Sequence, residues 1–434
     1  MTSQPPSIDP VTTSVALPVK TEVVIIGGGV IGLTAALTLA ERGIPVTVLE
    51  KGRLAGEQSS RNLGWIRKTN RVSADLPLSI AADHLWAQMV QRTGKDVGYR
   101  RSGVMFTART EEELATYSDW HENVGRHSTD SRMVNSDEID ALVPGGREKW
   151  LGGVHTASDG YAEPTKAASA IATAAMAKGA VIIENCAARS LSTSGGRVSG
   201  VVVDSGEIAC QQVILSGGLW SRRFLGNLGI EFPMLPLTVS VLRTAPMEGP
   251  SDMAVGGPDF SFRKDYTGGY TVMHRAALVA PITLDSILLG PKYLSSLKAF
   301  WKAMRLEFGA ELWTDIRMPR SWRTGETTPF EMTRTKNPDY NAQINAEALR
   351  NVSAAWPVFA DVQVAMNWAG MMDMTPDSLP VIDNVEAIRG LTVASGFSGH
   401  GFGCSPAAGQ LAADIATGTN PIVDPAPYCF TRFG

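Results

Sequence analysis

The chain opens with two short apolar runs separated by a glycine turn and an uncharged stretch. Val23 to Ile26 predict a buried strand, and four of the next six residues, Gly27 to Gly32, are glycines. A stretch rich in alanine and leucine continues to Glu41 and predicts a buried helix. A second apolar run, Val46 to Leu49, predicts another strand. The order strand, glycine turn, helix, strand predicts a βαβ unit with parallel strands.

Spacing within this unit predicts a dinucleotide site. Gly27 permits a tight turn, Gly29 lets the backbone approach a pyrophosphate, and Gly32 lets the helix pack closely on the strand. The helix N-terminus adds free N–H groups and the positive end of a dipole. Glu50 ends the second strand, where a carboxylate accepts hydrogen bonds from both ribose hydroxyls and disfavours the 2′-phosphate of NADP. A glycine-rich turn in another kind of α/β sheet is the alternative interpretation.

A membrane helix is a second alternative, because residues 23–40 carry no charge and approach the length of a membrane span. Four glycines and two threonines interrupt this stretch, and an acidic residue flanks each end without a basic bias. The sequence therefore favours the βαβ unit.

Elements predicted farther along the chain alternate between helices and strands. Helical periodicity covers residues 78–91, 111–126, 165–178, 294–308 and 407–416. Pro406 suits the first turn of the last of these helices. Strand-like runs cover residues 99–106, 181–183, 198–203, 213–215, 238–242, 269–273 and 391–394. Residues 233–364 lack a second glycine fingerprint, and we interpret most of this region as a second domain.

Composition narrows the class of protein. The 434 residues are 44% hydrophobic and 19% charged, as in soluble globular proteins, and suffice for two domains. A net charge of −4 provides no electrostatic footprint for nucleic acid. The four cysteines are scattered, so neither a disulfide framework nor a metal site is expected. Residues 1–20 contain four prolines and no apolar core, which predicts a flexible lead-in instead of a secretory signal.

Three motifs taken together resemble the D-amino-acid oxidase family of flavoproteins, which includes glycine oxidase, sarcosine oxidase and D-amino-acid dehydrogenase. They are VVIIGGGVIGLTAALTLAERGIPVTVLEKG, VILSGGLWS, and TPDSLPVI followed by SGFSGHGFGCSPAAGQLAADI, and they extend from residue 21 to about 420. The resemblance implies an α/β fold in which a Rossmann-like FAD-binding domain (21–93, 150–222 and 366–423) carries an inserted α+β substrate domain (94–149 and 223–365). Residues 424–434 form a C-terminal tail. FAD thus replaces NAD as the expected cofactor.

The resemblance also implies which residues bind FAD. Those at the ADP end are Gly27, Gly29, Gly32, Glu50, Lys51 and, through its backbone at the adenine, Ala188. Those along the rest of the cofactor are Ser59, Ser60, Ser216, Gly217, Gly399, His400 and Gly401. A plain solvated loop is the alternative for the two neighbouring serines.

Substrate residues follow less directly. Arg67 lies close to the place where the sarcosine-oxidase pattern has an arginine for the substrate carboxylate, which a guanidinium fork fits in two hydrogen bonds. A structural arginine paired with an acid is the alternative. His400 and His274 are candidates to favour the deprotonated amine, because histidine titrates near neutrality, and a structural role is their alternative. Two departures argue against a sarcosine-type substrate: Gly403 replaces an expected lysine, and Met372 replaces an expected tyrosine.

The function that the resemblance implies is FAD-dependent oxidation of the C–N bond of a D-amino acid or an N-substituted amino acid. The α-C–H delivers hydride to flavin N5, and the imine then hydrolyses. Gly370 stands where the family's flavin-attaching cysteine would be, so FAD is expected to be non-covalent. A 2-hydroxy-acid dehydrogenase and a non-enzymatic FAD-binding protein are the alternatives, since fold does not determine substrate.

The expected partners are a small amino acid or amine and an electron acceptor, which is oxygen, a quinone or a carrier protein. Neither nucleic acid nor metal is expected to bind. We expect a cytoplasmic location, with peripheral contact to the inner face of a membrane as an alternative. No basic amphipathic helix in the sequence signals such contact.

Overall fold

A six-stranded sheet forms the centre of the first domain in a computed structural model that describes residues 5–433. The strands lie in the spatial order Val381–Asn384, Leu391–Ser395, Gln212–Leu215, Val23–Ile26, Val46–Leu49 and Val181–Ile183. The last five run parallel, and the edge strand Val381–Asn384 runs antiparallel to its neighbour. Val23 to Ile26 are buried on both faces, which explains their continuous apolar pattern.

Three long helices cover one face of this sheet: α1 (Val30–Glu41), α2 (Pro164–Ala177) and α3 (Gly401–Thr417). Helices α1 and α3 approach so closely that a Cβ added at Gly409 would lie 2.2 Å from the Thr34 hydroxyl oxygen. That hydroxyl donates a hydrogen bond of 2.7 Å to the carbonyl of Ser405. The other face packs against the meander Ala188–Ser194, Arg197–Val203 and Gly206–Ala209 and the helix Trp220–Asn227.

The second domain is built on a ten-stranded mixed sheet. Nine strands lie in the order Met304–Glu307, Leu278–Pro281, Leu235–Thr244, Tyr270–Met273, Ser261–Lys264, Ala254–Gly256, Val104–Ala108, Gly152–Thr156 and Ser131–Val134, and Val364–Met374 pairs along Leu235–Thr244. A two-stranded piece, Trp65–Ile66 with Gly160–Tyr161, adjoins it in sequence. The remaining helices of six or more residues are Leu76–Ala87, Glu111–Trp120, Ser136–Leu142, Leu284–Leu289, Leu294–Phe300, Ala310–Arg317 and Ala342–Ala355.

The structure corrects the bounds of two predicted helices. Strands 152–156 and 364–374 pair within the second sheet, and the division of the chain into FAD-binding and substrate segments stays a prediction. The predicted helix 294–308 ends at Phe300, because residues 304–307 form an edge strand that pairs with Leu278–Pro281. Isolated periodicity does not reveal such long-range pairing.

The last helix also begins earlier than predicted. It starts at Gly401, so Pro406 lies within it and not in its first turn. Proline has no N–H to donate to the carbonyl of Phe402, four residues earlier. The Ser405 hydroxyl donates to that carbonyl instead, at 2.8 Å, which lets the helix continue through the proline.

Residues 5–20, for which a flexible lead-in stays the prediction, make a few backbone contacts with the first domain. The backbone N–H of Ser14 donates to Ile182, and Val19 accepts from Ala209, so the segment runs along the first domain. Leu17 packs against the core on the meander side. Within the part of the chain that the structure describes, no helix combines the length and apolar character that crossing a bilayer requires.

Candidate functional site

The glycine turn joins three elements at distances that side chains would prevent. Gly27 has a φ of +113°, and a Cβ there would lie 2.5 Å from the carbonyl oxygen of Ser216. A Cβ on Gly32 would lie 2.1 Å from the Gly27 carbonyl oxygen and 2.6 Å from the Ser216 hydroxyl. The first and third glycines therefore allow strand, turn and helix α1 to pack together, as the spacing predicted.

A cavity of about 170 Å³ begins at this turn. Predicted FAD-binding residues that line it are Gly27, Gly29, Glu50, Lys51, Ser59, Ala188, Ser216, Gly217, Gly399 and Gly401. Two predicted residues do not line the cavity. Gly32 lies inside helix α1, and Ser60 is buried and donates its hydroxyl to the carbonyl of Glu57. The structure thus brings ten of the residues chosen from the sequence to one cavity.

Glu50 is held in place at the ADP end of the cavity. Its two carboxylate oxygens accept the N–H groups of Gly28 at 2.8 Å and Gly52 at 2.7 Å. Burial raises the pKa of Glu50 to about 6, against the opposing effect of the Gly52 N–H and of Lys51. At neutral pH the group is ionised and fixed, as an acceptor for ribose hydroxyls must be.

Glu57 and Trp220 line the same cavity, and sequence reasoning missed both. The Glu57 carboxylate accepts hydrogen bonds from the Lys51 ammonium at 2.9 Å, the Trp220 indole at 3.0 Å and the Lys336 backbone at 2.9 Å. The Lys51 nitrogen also lies 4.2 Å from the centre of the Trp220 ring. The tryptophan stands in VILSGGLWS, the motif already used for Ser216, so it could have been found there.

Two helix N-termini meet the cavity. Helix α1 begins after Gly29, and its first N–H, on Val30, donates to the Ser59 hydroxyl at 2.9 Å. Helix α3 begins after His400, and no side chain caps it. The positive ends of both dipoles therefore favour anionic groups, and they would stabilise the pyrophosphate and negative charge on the ring of a bound FAD.

Three arginines cluster near the α3 end of the cavity. The Cζ atoms of Arg67 and Arg275 lie 5.3 and 4.4 Å from the centre of the Phe106 ring. Arg71 is paired with Asp75 at 3.5 Å, whereas no described carboxylate oxygen lies within 4.0 Å of a side-chain nitrogen of Arg67 or Arg275. Burial first, and then the positive charges of Arg71 and Arg275, lower the pKa of Arg67. An anion bound here would relieve that repulsion.

A buried aspartate holds the loop that carries Arg67. Asp159 accepts the backbone N–H groups of Lys68 and Thr69 at 2.9 Å each, and pairs with the Lys68 ammonium at 2.9 Å. Arg67 in turn donates to the carbonyl of Thr69 within the same loop. No local pattern pointed to Asp159, because it lies ninety-one positions beyond Lys68.

The two candidate histidines have different surroundings. Burial, followed by the charges of Arg71 and Arg67, lowers the pKa of His400, so its imidazole is neutral at pH 7 and adjoins the arginine cluster. His274 is not at the cavity: its ring faces the Ala276 N–H at 3.1 Å and the Asn351 amide at 3.4 Å. His274 therefore does not line the cavity, and a catalytic role for either histidine stays a prediction.

The departures from the sarcosine-oxidase pattern have a steric basis. A Cβ at Gly403 would lie 2.7 Å from the Trp65 carbonyl oxygen, so a lysine there would need the strand to move. A Cβ added at Gly399 would lie 2.6 Å from the Met372 sulfur, so this thioether packs against the final turn.

Cys404 is buried, and burial raises the pKa of its thiol to about 11, as for a packed and unreactive cysteine. In the described residues, no three His, Cys, Asp or Glu side chains converge as metal ligands.

A parallel sheet with a glycine turn at its centre and a long cavity at its carboxyl edge defines a dinucleotide-binding protein. Residues 22–415 match the family described as FAD dependent oxidoreductase (DAO), and the chain belongs to that family. The resemblance inferred from the three motifs is thereby confirmed, as is the mixed α/β fold. The protein is accordingly an FAD-dependent enzyme of amino-acid or amine oxidation.

Individual relatives cover almost the whole chain. The solved structure of L-amino acid deaminase from Proteus myxofaciens in complex with anthranilate is similar with a TM-score of 0.94 and 32% identity, covering 99% of this chain and 97% of that one. Glycine oxidase of Pseudomonas aeruginosa is 26% identical over 94% of this chain and 97% of its own length. For 4-methylaminobutanoate oxidase (formaldehyde-forming) of Paenarthrobacter nicotinovorans, identity is 24% and the chain spans only 46% of that protein.

The residues present fit FAD. Ala188 and the fixed carboxylate of Glu50 line one end of the cavity, and Gly399 and Gly401 line the other. Gly29 lies between these two ends and has no Cβ to crowd the cavity. A Cβ there would lie 3.1 Å from the Ser59 hydroxyl. A dinucleotide needs this combination of an acidic ribose site and an uncrowded turn.

Proposed function

We propose that this enzyme oxidises the C–N bond of an α-amino acid with a large apolar side chain. The proposal depends on one observation. Arg67 and Arg275 both lie against the Phe106 ring, and neither guanidinium has an acidic partner among the described residues. A carboxylate fits the fork of a guanidinium in two hydrogen bonds. Trp65, which contacts Phe106 at 5.7 Å between ring centres, and Met372 supply an apolar wall for the side chain.

The L-enantiomer is our first candidate, although the sequence led us to expect a D-amino acid or an N-substituted one. Support comes from the 32% identity to an L-amino acid deaminase over 99% of this chain, which exceeds the identity to glycine oxidase. A glycine or sarcosine substrate is disfavoured, because the residues that replace the expected lysine and tyrosine are Gly403 and Met372.

We further propose that FAD is bound without a covalent link. Gly370 has no thiol at the position where the family's flavin-attaching cysteine would be. FAD supplies the hydride acceptor. The chain supplies the carboxylate site, and the positive charges of Arg71 and Arg67 beside the neutral His400 favour loss of a proton from a cationic substrate nitrogen.

The test is anaerobic bleaching of the flavin by matched pairs of compounds. We expect L-amino acids with apolar side chains to bleach it, and their D-enantiomers, N-methyl glycines and the corresponding 2-hydroxy acids to do so much more slowly. Faster bleaching by the D-enantiomers would reverse the stereochemical assignment. Bleaching by 2-hydroxy acids alone would replace amine oxidation by a 2-hydroxy-acid dehydrogenase activity.

The same protein preparation tests the flavin linkage and the electron acceptor. Heat precipitation is expected to leave FAD, not FMN, in the supernatant, whereas flavin retained in the precipitate would indicate a covalent bond. Reduced enzyme is then exposed separately to oxygen and to a soluble quinone. Faster reoxidation by oxygen would indicate an oxidase, and faster reoxidation by the quinone would indicate a dehydrogenase.

A further inference from the structure

Residues 333–337 form a short irregular segment between two helices, and we call this segment the strap. Its sequence, TRTKN, is entirely polar, and none of its five side chains is buried. The short helix Pro329–Met332 precedes it and is anchored by Phe330, whose ring centre lies 6.0 Å from that of Trp220. The helix Ala342–Ala355 follows it. The strap is therefore a polar stretch with no apolar side chain of its own, and its two ends are fixed.

The strap lies on the loop that follows Glu50, at the ADP end of the cavity. Gly52 is buried in this loop, and a Cβ added there would lie 2.1 Å from the carbonyl oxygen of Arg334. Thr335 lines the cavity, as does the anchoring Phe330. The strap is therefore part of the cavity wall at the end where the fixed carboxylate of Glu50 lies.

The Lys51 ammonium holds the strap in this position. It donates to the carbonyl oxygens of Thr333 at 3.0 Å and Arg334 at 2.9 Å, and to the Glu57 carboxylate at 2.9 Å. An ammonium has three N–H groups, so these three acceptors use all of its donors. Lys51, which the resemblance implied as an FAD-binding residue, thus directs its hydrogen bonds to the strap and to Glu57.

Further polar contacts join the strap to the first domain. The Arg334 guanidinium donates to the carbonyls of Lys51 and Asn185 at 3.0 Å each. The backbone N–H of Lys336 donates to the Glu57 carboxylate at 2.9 Å. Water can replace hydrogen bonds of this kind at small net cost, and segments with few buried apolar contacts open locally without unfolding the core.

We propose that the strap is a gate for the cofactor, which opens to admit FAD and closes over the ADP end of the cavity with Lys51 as its latch. The anchored helices on either side are the fixed ends about which it moves. The contacts that hold the gate join protein atoms, so weakening them should speed the entry and the release of FAD by the same factor. This inference requires only that the chain binds FAD, and it does not depend on the substrate.

The experiment follows flavin fluorescence when the full-length apoprotein is mixed with FAD and when the FAD-loaded protein is diluted. Arg334→Ala should raise both the association and the dissociation rate about tenfold and leave Kd unchanged, because a hydrogen bond to a charged group is worth about tenfold in an equilibrium constant. Gly52→Ala should also raise both rates, because its Cβ would displace the Arg334 carbonyl. Anaerobic bleaching of Arg334→Ala at saturating FAD should equal that of the wild type, since Arg334 does not line the cavity.

Arg389→Ala is the matched control, because Arg389 also donates to a backbone carbonyl, that of Gly195 at 2.9 Å, and does not line the cavity. Both of its rates should equal those of the wild type. The proposal is overturned if Arg334→Ala changes neither rate. It is also overturned if this variant raises the dissociation rate alone and Kd with it, which would make the strap part of the FAD site and not a gate.

Lys51→Met tests the latch separately. A latch that is lost should raise both rates, as in Arg334→Ala. A rise in the dissociation rate alone would show that Lys51 holds the cofactor, and would overturn its role as the latch.

Discussion

Arg67 and Arg275 lie against the same aromatic ring, that of Phe106, although they are separated by more than two hundred residues. Their guanidinium carbons are 5.3 and 4.4 Å from its centre. Arg275 donates to the Gly257 carbonyl at 2.6 Å and Arg67 to carbonyls of its own loop, which leaves the positive charge of both groups without a carboxylate partner in the described residues. We therefore propose that these two cations bind an anion.

The first prediction concerns this pair. Arg67→Ala and Arg275→Ala should each reduce transition-state stabilisation by about 2–4 kcal/mol for a carboxylate-bearing substrate, because positioning by two hydrogen bonds is lost. Lysine at either position should restore only part of the activity, since a point charge does not reproduce the fork. The measurement is kcat/KM with an amino acid and with its decarboxylated amine.

Arg101→Ala is the control for this series. Arg101 pairs with Asp83 at 3.2 Å and is half-exposed outside the cluster, so its loss should affect neither substrate. An equal loss on amine and amino acid in Arg67→Ala, or a loss of flavin, would show that Arg67 shapes its loop and does not hold the carboxylate.

The glycine turn gives a prediction that separates folding from cofactor binding. A Cβ at Gly29 meets only the Ser59 hydroxyl, at 3.1 Å, so Gly29→Ala should fold normally and lose FAD. Gly32→Ala should lose both stability and FAD, since its Cβ would lie 2.1 Å from a backbone oxygen. Flavin absorbance and urea unfolding of the apoproteins measure the two effects. Gly226→Ala, with no atom within 4 Å of the added Cβ, is the matched control.

How much the sequence predicted depends on how local each feature is. Strand Val23–Ile26, the turn and helix α1 are consecutive, and their pattern contains all the information needed to identify them. The ten-stranded sheet is different, because strands such as Gly152–Thr156 and Val104–Ala108 pair across intervening elements. Pairing of this kind depends on tertiary packing, and short apolar runs do not specify their partners.

The candidate site divides in the same way. Glu50 was identified because it ends the strand that follows the glycine turn. Glu57 was missed because its role depends on Lys336, which arrives from a distant segment. His274 was chosen for its titration range alone, and its neighbours turned out to be Asn351 and Glu347. Residue type therefore located a residue at the cavity only where the local sequence pattern also placed it, and the roles of these residues stay predictions.

A pH dependence of FAD binding is the third prediction. The pKa of Glu50 is raised to about 6, mainly by burial, and ribose hydroxyls bind its ionised form. FAD affinity should be constant above pH 7 and fall as pH decreases through 6, by up to about tenfold per pH unit. The effect on the apoprotein has the opposite sign: protonated Glu50 favours the folded state, and this contribution is lost as pH rises through about 6.

Reconstitution followed by flavin fluorescence across this range measures the affinity. Glu50→Gln should bind FAD weakly and with a flatter profile. The comparison is necessary because burial also raises the pKa of Asp373, which lines the same cavity, to about 6. A profile that is unchanged in Glu50→Gln would assign the titration to Asp373.

The last prediction concerns Asp159 as the group that positions Arg67. Its carboxylate is fully buried and binds two consecutive backbone N–H groups and the Lys68 ammonium, directly after Arg67. Asp159→Asn leaves the buried ammonium with one carboxylate, that of Asp83, and should lower the free energy of unfolding by about 3 kcal/mol. It should also raise KM for the amino acid more than for the decarboxylated amine, because the Arg67 loop loses its anchor. Asp96→Asn, at an exposed pair with Arg100, should cost less than about 1 kcal/mol and leave both KM values unchanged. If Asp159→Asn unfolds more easily while its KM ratio stays at the wild-type value, Asp159 supports the fold without orienting Arg67.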